Sequence, residues 1–272
     1  MSKVKTLQEA IGKIKCGDMV SIGGNVLHRT PMAAVREMAR QKKKHLKVVK
    51  TAGAMDVDLL CAAGCVATVD AGFISYETKY GLANHYRKAV QNGEVKGNEH
   101  ACYTVMCALR AGSMNVPFMP VFGMMSGDLL EKADYFTVVE DPFTQQPVTL
   151  VKALAPNVAV IHVHECDALG NAVIHGAKFD DILLSRSADK VIITTEKIVS
   201  ASKIRMNPLG VDIPGFLVDA VVHVPKGASP TSCHKVYDVD DKEIQAFFTE
   251  DLATYLQRHA ARDHLSKRSG DR

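Results

Sequence analysis

Short apolar runs, many of them rich in Val and Ile, recur along the chain at the length of β-strands and without polar alternation. Strands with this pattern are covered on both faces, as in a parallel sheet between layers of helices. Segments with helical periodicity separate several of these runs, and alternating strands and helices indicate an α/β fold with right-handed crossovers. The sequence therefore predicts an open, mostly parallel sheet with helices on both faces.

The predicted elements leave no gap that would separate two domains. Strands are expected at Met19–Ile22, Leu46–Val49, Ala67–Phe73, Phe118–Phe122, Tyr135–Val139, Val158–Val163, Lys190–Thr195 and Asp219–Val224. Helices are expected at Thr6–Lys15, Met32–Gln41, Asp56–Ala63, Tyr80–Gln91, Ala101–Ala111, Lys178–Ser187 and Lys242–Arg262. No linker rich in Pro, Gly or Ser occurs, so we expect one domain over residues 1–272, with residues 250–272 as a C-terminal helix and tail.

Composition excludes several classes of protein. The net charge of +3 is too small for a nucleic-acid-binding surface. The chain has no apolar run of about 18 residues, so no transmembrane helix and no membrane partner are expected. The amino terminus carries no apolar signal region, which favours a cytoplasmic location. In that compartment the seven cysteines are expected to be reduced thiols.

A pair of glycines follows the first predicted strand. Gly23 and Gly24 let the backbone approach a ligand closely, because they carry no Cβ. The next helix, with Thr30 as its expected N-cap and Pro31 in its first turn, would present N–H groups and a positive dipole end to an anion. A role for the glycines in packing alone explains the pattern equally well.

The loop between this turn and the helix is polar. Asn25, His28 and Arg29 lie in it, and all three can donate to a carboxylate. The segment is neither the Gly-x-Gly-x-x-Gly fingerprint of dinucleotide sites nor the phosphate-binding loop of nucleoside triphosphatases. We therefore expect a carboxylate or acyl group, rather than a nucleotide cofactor, at this turn.

Several segments, in this order along residues 1–250, resemble those of one known family. They are Met1-Ser-Lys-Val-Lys-Thr-Leu-Gln-Glu-Ala-Ile, Gly17-Asp-Met-Val-Ser-Ile-Gly-Gly, Pro31-Met-Ala-Ala-Val, Val116-Pro-Phe-Met-Pro-Val, His162-Val-His-Glu-Cys-Asp-Ala-Leu-Gly-Asn-Ala and Ile213-Pro-Gly-Phe-Leu-Val-Asp-Ala-Val-Val-His-Val-Pro-Lys-Gly-Ala. The chain resembles the α subunit of family I coenzyme A transferases, particularly of the glutaconate type. That resemblance implies the fold that these enzymes share with sugar-phosphate isomerases.

The resemblance also implies a partner and a reaction. In this family the nucleophilic glutamate belongs to a homologous β subunit, in a Ser-Glu-Asn-Gly-type loop that this sequence lacks. The expected protein is a hetero-oligomer, such as two αβ pairs, that moves coenzyme A between an acyl-CoA and a small carboxylic or dicarboxylic acid. The thioester is then a substrate, and no permanently bound cofactor is expected.

The resemblance assigns roles to residues of the glycine turn. Gly23, Gly24 and Asn25 would shape the acyl pocket, where N–H donors are needed for an oxyanion. Arg29 would bind a distal substrate carboxylate through its two-pronged guanidinium. A salt bridge at the start of the helix is the alternative for Arg29.

Three further residues are candidates for the same pocket. Ser126 and Gly127 lie in a loop of small residues, and Ser75 follows the predicted strand Ala67–Phe73 at the carboxyl edge of the sheet. For each of them, an ordinary role in a turn or in the core remains open.

Some relatives of these transferases hydrolyse a carbon–carbon bond of a cyclic CoA thioester, and the chain also resembles their α subunit. In that interpretation Glu99, which lies 18 residues before Pro117, is the general acid/base, provided that burial raises its pKa. Otherwise Glu99 is an acid favoured by the dipole at a helix start. A third possibility is a metabolite-binding module without chemistry.

Two histidines mimic part of a metal site. His162 and His164 alternate on a predicted strand and so point to one face, beside Asp167. No other segment supplies further ligands at a suitable spacing, so no metal is expected. Three nearby polar residues are interpreted as cap or loop residues: His175, Asp180 and Asp181.

Overall fold

The computed structural model describes residues 2–123 and 127–264. The strands are β1 (Met19–Ile22), β2 (Leu46–Gly53), β3 (Val66–Ile74), β4 (Lys96–Glu99), β5 (Phe118–Val121), β6 (Phe136–Glu140), β7 (Pro147–Lys152), β8 (Val158–Asp167), β9 (Ala172–Val173), β10 (Lys190–Val199) and β11 (Ala220–His223). The helices are α1 (Leu7–Gly12), α2 (Met32–Arg40), α3 (Met55–Ala62), α4 (Glu77–Tyr80), α5 (Asn84–Gln91), α6 (Cys102–Ser113), α7 (Asp128–Lys132), α8 (Asp181–Ser187), α9 (Ala201–Met206), α10 (Asp241–Thr249) and α11 (Leu252–Asp263). Short 3-10 turns span Pro208–Gly210 and Gly215–Leu217.

The central sheet has the order β11-β10-β8-β1-β2-β3-β4, and all of these strands are parallel. Only the short β9, paired with β8, is antiparallel among the described strands of this sheet. The chain proceeds outward from β1 through β2, β3 and β4 and later continues on the other side of β1 through β8, β10 and β11. Strand β1 is therefore the point where the strand order reverses.

Successive residues of the central strands point to opposite faces and enter two separate cores. In β8, Val160 packs with α1, α2 and α3 on one face, whereas Ile161 packs with α6 and α8 on the other. Ile192 and Ile193 of β10 divide in the same way. This burial on both faces explains the unbroken apolar runs and confirms the predicted fold class.

A second, three-stranded antiparallel sheet has the order β5-β7-β6 and packs on the face that carries α6. The sequence correctly predicted strands near β5 and β6 but placed them in the parallel sheet, and it missed β7. The edge strand β4 was missed as well, because its sequence Lys-Gly-Asn-Glu contains no apolar residue.

Three predicted helix details are wrong. The helix expected at Tyr80–Gln91 is interrupted at Gly81, whose φ of 81° lies in the left-handed region. The helix expected at Lys242–Arg262 is two helices, because the Asp251 side chain accepts from the Thr254 N–H and begins α11 anew. Thr30 does not cap α2: its hydroxyl donates to the Val26 carbonyl, and Pro31 occupies the N-cap position.

Candidate functional site

The glycine turn lies directly after β1, at the carboxyl edge of the sheet and at the reversal of strand order. Ligands of open α/β sheets bind in the crevice outside the carboxyl ends of the strands at such a point. Strands β2 and β8 flank the turn, so residues from their ends surround it.

A buried lysine fixes the carbonyl side of the turn. The Lys50 ammonium, in β2, donates to the carbonyls of Ile22, Gly23 and Gly24 at 3.0, 2.6 and 2.9 Å. It also lies 3.2 Å from the carboxylate of Asp56, and both side chains are fully buried. Because buried charges must be paired, the pair holds the turn against β2.

A buried ion pair fixes the other side of the turn. Asp181, the first residue of α8, accepts from the Gly24 N–H at 2.9 Å and pairs with Arg29 Nη2 at 2.5 Å. Arg29 also donates to the carbonyls of His162 and Ala177, at 2.8 and 3.0 Å. Only 3% of the Arg29 side chain is exposed.

The predicted role of Arg29 is therefore revised. Its guanidinium was expected to bind a substrate carboxylate or to form a salt bridge at the helix start. Its carboxylate partner is Asp181 of the same chain, and the pair is buried. Asp181 is a central residue of the site, although the sequence indicated a cap or loop role.

The two glycines are required by packing. A Cβ on Gly23 would lie 2.3 Å from Asp181 Oδ1, and Gly24 has a φ of 74° with the Arg29 carbonyl 2.6 Å from its Cβ position. The Gly23 N–H donates to Val160, and the Gly24 N–H donates to Asp181. Both N–H groups are thus occupied within the chain, and the role of the two glycines in shaping an acyl pocket stays a prediction.

Asn25 differs from its neighbours. Its N–H donates to the His28 carbonyl at 2.8 Å, but its half-buried side-chain amide has no hydrogen-bond partner among residues 2–123 and 127–264. Of the residues predicted from the glycine turn, Asn25 has the side chain available to a ligand.

A cleft of about 550 Å³ opens beside the Arg29–Asp181 pair. Its walls come from the loops after β1, β9 and β11, and they include His28, Arg29, His175, Phe179, Ser232, His234, Lys235 and Tyr237. The sequence had assigned a ligand role only to His28 and Arg29. The other residues come from distant segments, and only the fold brings them to one edge.

A buried hydrogen-bonded chain lies behind this cleft. Glu196 binds His162 Nε2 at 2.8 Å and accepts from the Tyr237 hydroxyl at 2.5 Å. Burial opposes its charge, but these hydrogen bonds and the proximity of His162 hold the pKa of Glu196 below its usual value. Burial and the Glu196 charge raise the pKa of Tyr237 far above its usual value, so the phenol keeps its proton.

His162, Glu196 and Cys233 place potential metal ligands within 4.8 Å of one another. However, the two ring nitrogens of His162 already bind Thr194 and Glu196. Burial and the Glu196 charge raise the pKa of Cys233 to about 12, which disfavours the thiolate that a metal needs. We therefore assign no metal to this cluster.

The remaining predicted residues lie elsewhere. Ser75 follows β3, and its hydroxyl donates to the Gly81 carbonyl at 2.8 Å, within a local turn. Gly127 is exposed at the N-cap of α7 with a φ of 124°, and Ser126 lies outside the described residues. The structure brings together the residues of the glycine turn but not Ser75 or Gly127.

Glu99 ends the edge strand β4, three strands away from β1. Its side chain is exposed and has no hydrogen bond or ion pair within the described ranges. The burial on which its acid/base role was conditional is therefore absent in this chain. The carboxylate remains open to solvent at the carboxyl edge.

None of the helices in the described ranges is both long and apolar enough to cross a membrane.

Comparison with known proteins places these features in a family. Residues 4–224 match the family model described as Coenzyme A transferase. The chain is 32% identical over 267 residues to the A subunit of glutaconate CoA-transferase from Acidaminococcus fermentans, covering 91% of this chain and 82% of that protein. It is 30% identical over 259 residues to the cholesterol ring-cleaving hydrolase IpdA subunit of Rhodococcus jostii, covering 92% of this chain and 86% of that protein.

An archaeal relative of uncharacterized function, from Archaeoglobus fulgidus, is 36% identical over 267 residues. The match covers 97% of this chain but only 59% of the archaeal protein.

Solved structures agree with the sequence relatives. The crystal structure of glutaconate coenzyme A-transferase from Acidaminococcus fermentans matches with a TM-score of 0.86 at 28% identity, over 99% of this chain and 97% of that one. The decarboxylase AibA/AibB matches with a TM-score of 0.86 at 30% identity, over 96% of this chain and all of that one. With its parallel sheet, its glycine turn and these matches, the chain belongs to the coenzyme A transferase family.

Proposed function

We propose that this chain is the α-type subunit of a CoA-transferase that moves coenzyme A between an acyl-CoA and a small carboxylic or dicarboxylic acid. A homologous β chain completes the site and supplies the nucleophilic carboxylate, in an assembly of two αβ pairs. The similarity to the A subunit of glutaconate CoA-transferase over 91% of the chain supports the activity.

The observation that carries the proposal is the state of the carboxylates around the glycine turn. Asp181 is paired with Arg29, and Asp56 is paired with Lys50. Asp180 is 3% exposed and accepts from Thr51 Oγ1 at 2.7 Å, and Glu196 is bound to His162. None of these four carboxylates is free to attack a thioester, which supports a nucleophile that comes from another chain.

The chemistry needs a carboxylate that accepts an acyl group and returns it. The carboxylate attacks the thioester carbonyl, forms a mixed anhydride and releases CoA thiolate. The thiolate then attacks the enzyme's own carbonyl, which frees the first acid and leaves an enzyme thioester. The acceptor acid reverses these two steps and leaves with CoA, so the thioester energy is conserved.

In this scheme the chain contributes shape and polarity. The paired Lys50 and Arg29 keep the turn rigid, and rigid donors cost no reorganisation when charge develops on an oxygen. The free amide of Asn25 is the donor that the turn offers to the acyl oxygen or to the acid. Asn25→Ala should therefore lower kcat/KM without unfolding the protein.

Chemical trapping tests the proposal. The chain is co-expressed with the product of the adjacent reading frame, incubated with acyl-CoA and treated with borohydride, which reduces an enzyme thioester to an alcohol. We expect one modified glutamate, on the partner chain. Modification of a carboxylate in this chain, or full transferase activity of this chain alone, would contradict the proposal.

A second candidate function is hydrolysis of a cyclic CoA thioester with Glu99 as acid/base. Two observations favour it: the 30% identity to the cholesterol ring-cleaving hydrolase IpdA subunit, and the unpaired Glu99 carboxylate at the carboxyl edge. In this case a partner chain would have to bury Glu99.

Glu99→Gln separates the two candidates, with Glu77→Gln as the matched control, because Glu77 is also exposed at this edge. Loss of turnover in Glu99→Gln alone, without a covalent adduct in the parent protein, would establish hydrolysis. Unchanged turnover together with a trapped adduct on the partner would establish transfer.

A further inference from the structure

A second cleft, of about 280 Å³, lies between the central sheet and the three-stranded sheet. Part of its wall is a row of paired residues that crosses four parallel strands: Met19, Lys47, Thr68 and Lys96. These residues lie at or near the beginnings of their strands. The cleft is therefore displaced toward the amino ends of the strands, away from the glycine turn.

Three lysines line this cleft. Lys47 and Lys96 lie in the same row two strands apart, roughly 10 Å from each other at the usual strand spacing. Lys152 enters from β7 of the second sheet. None of the three ammonium groups has a hydrogen bond or ion pair with any residue that the structure describes. Three cations that lack an ion-pair partner and line one cleft favour the binding of an anion.

The two carboxylates of the cleft offset the charge of its three lysines only in part. Asp70 accepts from Asn98 Nδ2 at 2.9 Å and lies 3.4 Å from His100 Nε2, so its charge is directed to those side chains. Asp134 is the other carboxylate in the lining. Burial, with the charge of Asp70, raises the pKa of Tyr135 to about 12, so its phenol is neutral near pH 7. The cleft therefore carries an excess of positive charge.

Asn98 Oδ1 is a buried atom of the lining without a hydrogen-bond partner, and His100 Nε2 faces the Asp70 carboxylate at 3.4 Å. The His100 side chain is 1% exposed and its ring stacks on Tyr135 at 4.6 Å, which holds it at the cleft. Buried polar atoms are normally hydrogen-bonded, so the Asn98 oxygen is a position for a donor of the ligand, such as a P–OH group.

We propose that this cleft binds a phosphate-bearing anion through Lys47, Lys96 and Lys152. Two sources have this chemistry: free inorganic phosphate or pyrophosphate, and the phosphorylated nucleotide end of coenzyme A. The site uses none of the residues of the glycine turn. Its assignment to coenzyme A rests on the proposed function, whereas its assignment to a free phosphate does not.

The test is isothermal titration calorimetry on the full chain, together with any chain that co-purifies with it. The probes are inorganic pyrophosphate and adenosine 3′,5′-bisphosphate, each at millimolar concentration. Lys47→Ala and Lys152→Ala should each weaken binding about threefold to fivefold, as partly exposed ion pairs do, and the double variant about tenfold or more. Lys190→Ala is the matched control, because Lys190 is also an exposed lysine near a strand start, outside the cleft.

The outcomes are distinct. Binding of pyrophosphate alone, weakened by the lysine variants, assigns the site to a free phosphate. Tighter binding of the bisphosphate, in competition with pyrophosphate, assigns it to the nucleotide end of coenzyme A. Absence of binding by both probes, or equal binding by the parent and the double variant, would overturn the proposal. Equal thermal midpoints of the unliganded proteins exclude misfolding as the cause.

Discussion

At the carboxyl edge of the central sheet, the charged side chains near β1 and β2 are buried and paired, whereas the one at the end of β4 is exposed and unpaired. Around β1 and β2, Lys50, Asp56, Arg29 and Asp181 are at most 3% exposed and bind one another or backbone carbonyls. At the end of β4, Glu99 is exposed and its carboxylate has no partner within the described part of the chain. The first region is closed by its own residues, whereas the second is open.

This difference separates charges that shape the backbone from charges that are available for chemistry. The closed network surrounds two non-glycine residues in the left-handed region, Val26 with a φ of 46° and Arg29 with a φ of 54°. Such conformations cost of order 1–3 kcal/mol each and persist where the surroundings impose them. The network thus holds a strained loop at the position where open α/β sheets bind ligands.

The largest effect is expected from Lys50→Met. This change leaves Asp56 as a buried, unpaired carboxylate and removes the donor from the three carbonyls of the turn. Breaking a buried pair from one side costs about 3–5 kcal/mol, measured here as a loss in the free energy of unfolding by urea. Lys47→Met, at an exposed position of the same strand, should stay within about 0.5 kcal/mol. Equal stability of the two variants would show that Lys50 does not hold the turn.

Asp181→Asn should be the next most destabilising change. The amide keeps the shape but leaves the buried Arg29 guanidinium without its counter-charge, at a cost of about 3 kcal/mol in unfolding free energy. Asp180→Asn is the control on the adjacent residue. Burial, together with the charge of Asp181, raises the pKa of Asp180, so a neutral amide should cost far less there. The reverse ranking in a denaturation experiment would contradict the assignment.

The folded protein should also lose stability when the pH falls, because His164 of β8 is buried. Its Nε2 binds the His234 carbonyl and its Nδ1 accepts from the His175 N–H, so the neutral ring satisfies both contacts. Burial lowers the pKa of His164 to about 4, from an ordinary value of 6.5. Between these values the unfolded chain binds the proton and the folded chain does not. Stability therefore falls as pH drops from 6.5 toward 4, by up to about 1.4 kcal/mol per pH unit for this group.

Urea titrations at several pH values measure this slope. His164→Gln should reduce the slope by the contribution of about one proton. If the variant and the parent lose stability in parallel over this range, His164 is not the group responsible.

The smallest effect is expected at the open region. Glu99→Gln removes an exposed, unpaired charge and should change the unfolding free energy by no more than about 0.5 kcal/mol. A loss of several kcal/mol in the isolated chain would mean that Glu99 is structural, and the contrast between the two regions would not hold.

The sequence predicted the parts of the fold that follow from local patterns. Strands β1, β8 and β10 were recognised from runs of Val and Ile, because burial on both faces favours apolar residues at successive positions. Strand β4 was not predicted, since an edge strand with the sequence Lys-Gly-Asn-Glu buries little apolar surface. The assignment of β5 and β6 to the wrong sheet has a similar origin, because strand pairing depends on distant segments.

The site was predicted less completely. Lys50 was not predicted as a site residue, although a lysine within the apolar run of β2 requires a buried partner and so indicates an ion pair. Asp181 carried no comparable signal, since an acid at a helix start is an ordinary favourable arrangement. Nothing in the local sequence indicated that Arg29 would meet an acid 152 residues away.

By itself, the sequence determined the α/β architecture, the glycine turn after the first strand and the membership of the coenzyme A transferase family, because periodicity and short motifs are local properties of the chain. Only the tertiary structure decided which charges are used internally and which stay free. That outcome depends on which strand ends and loops become neighbours, and burial makes pairing of any charge enclosed there obligatory.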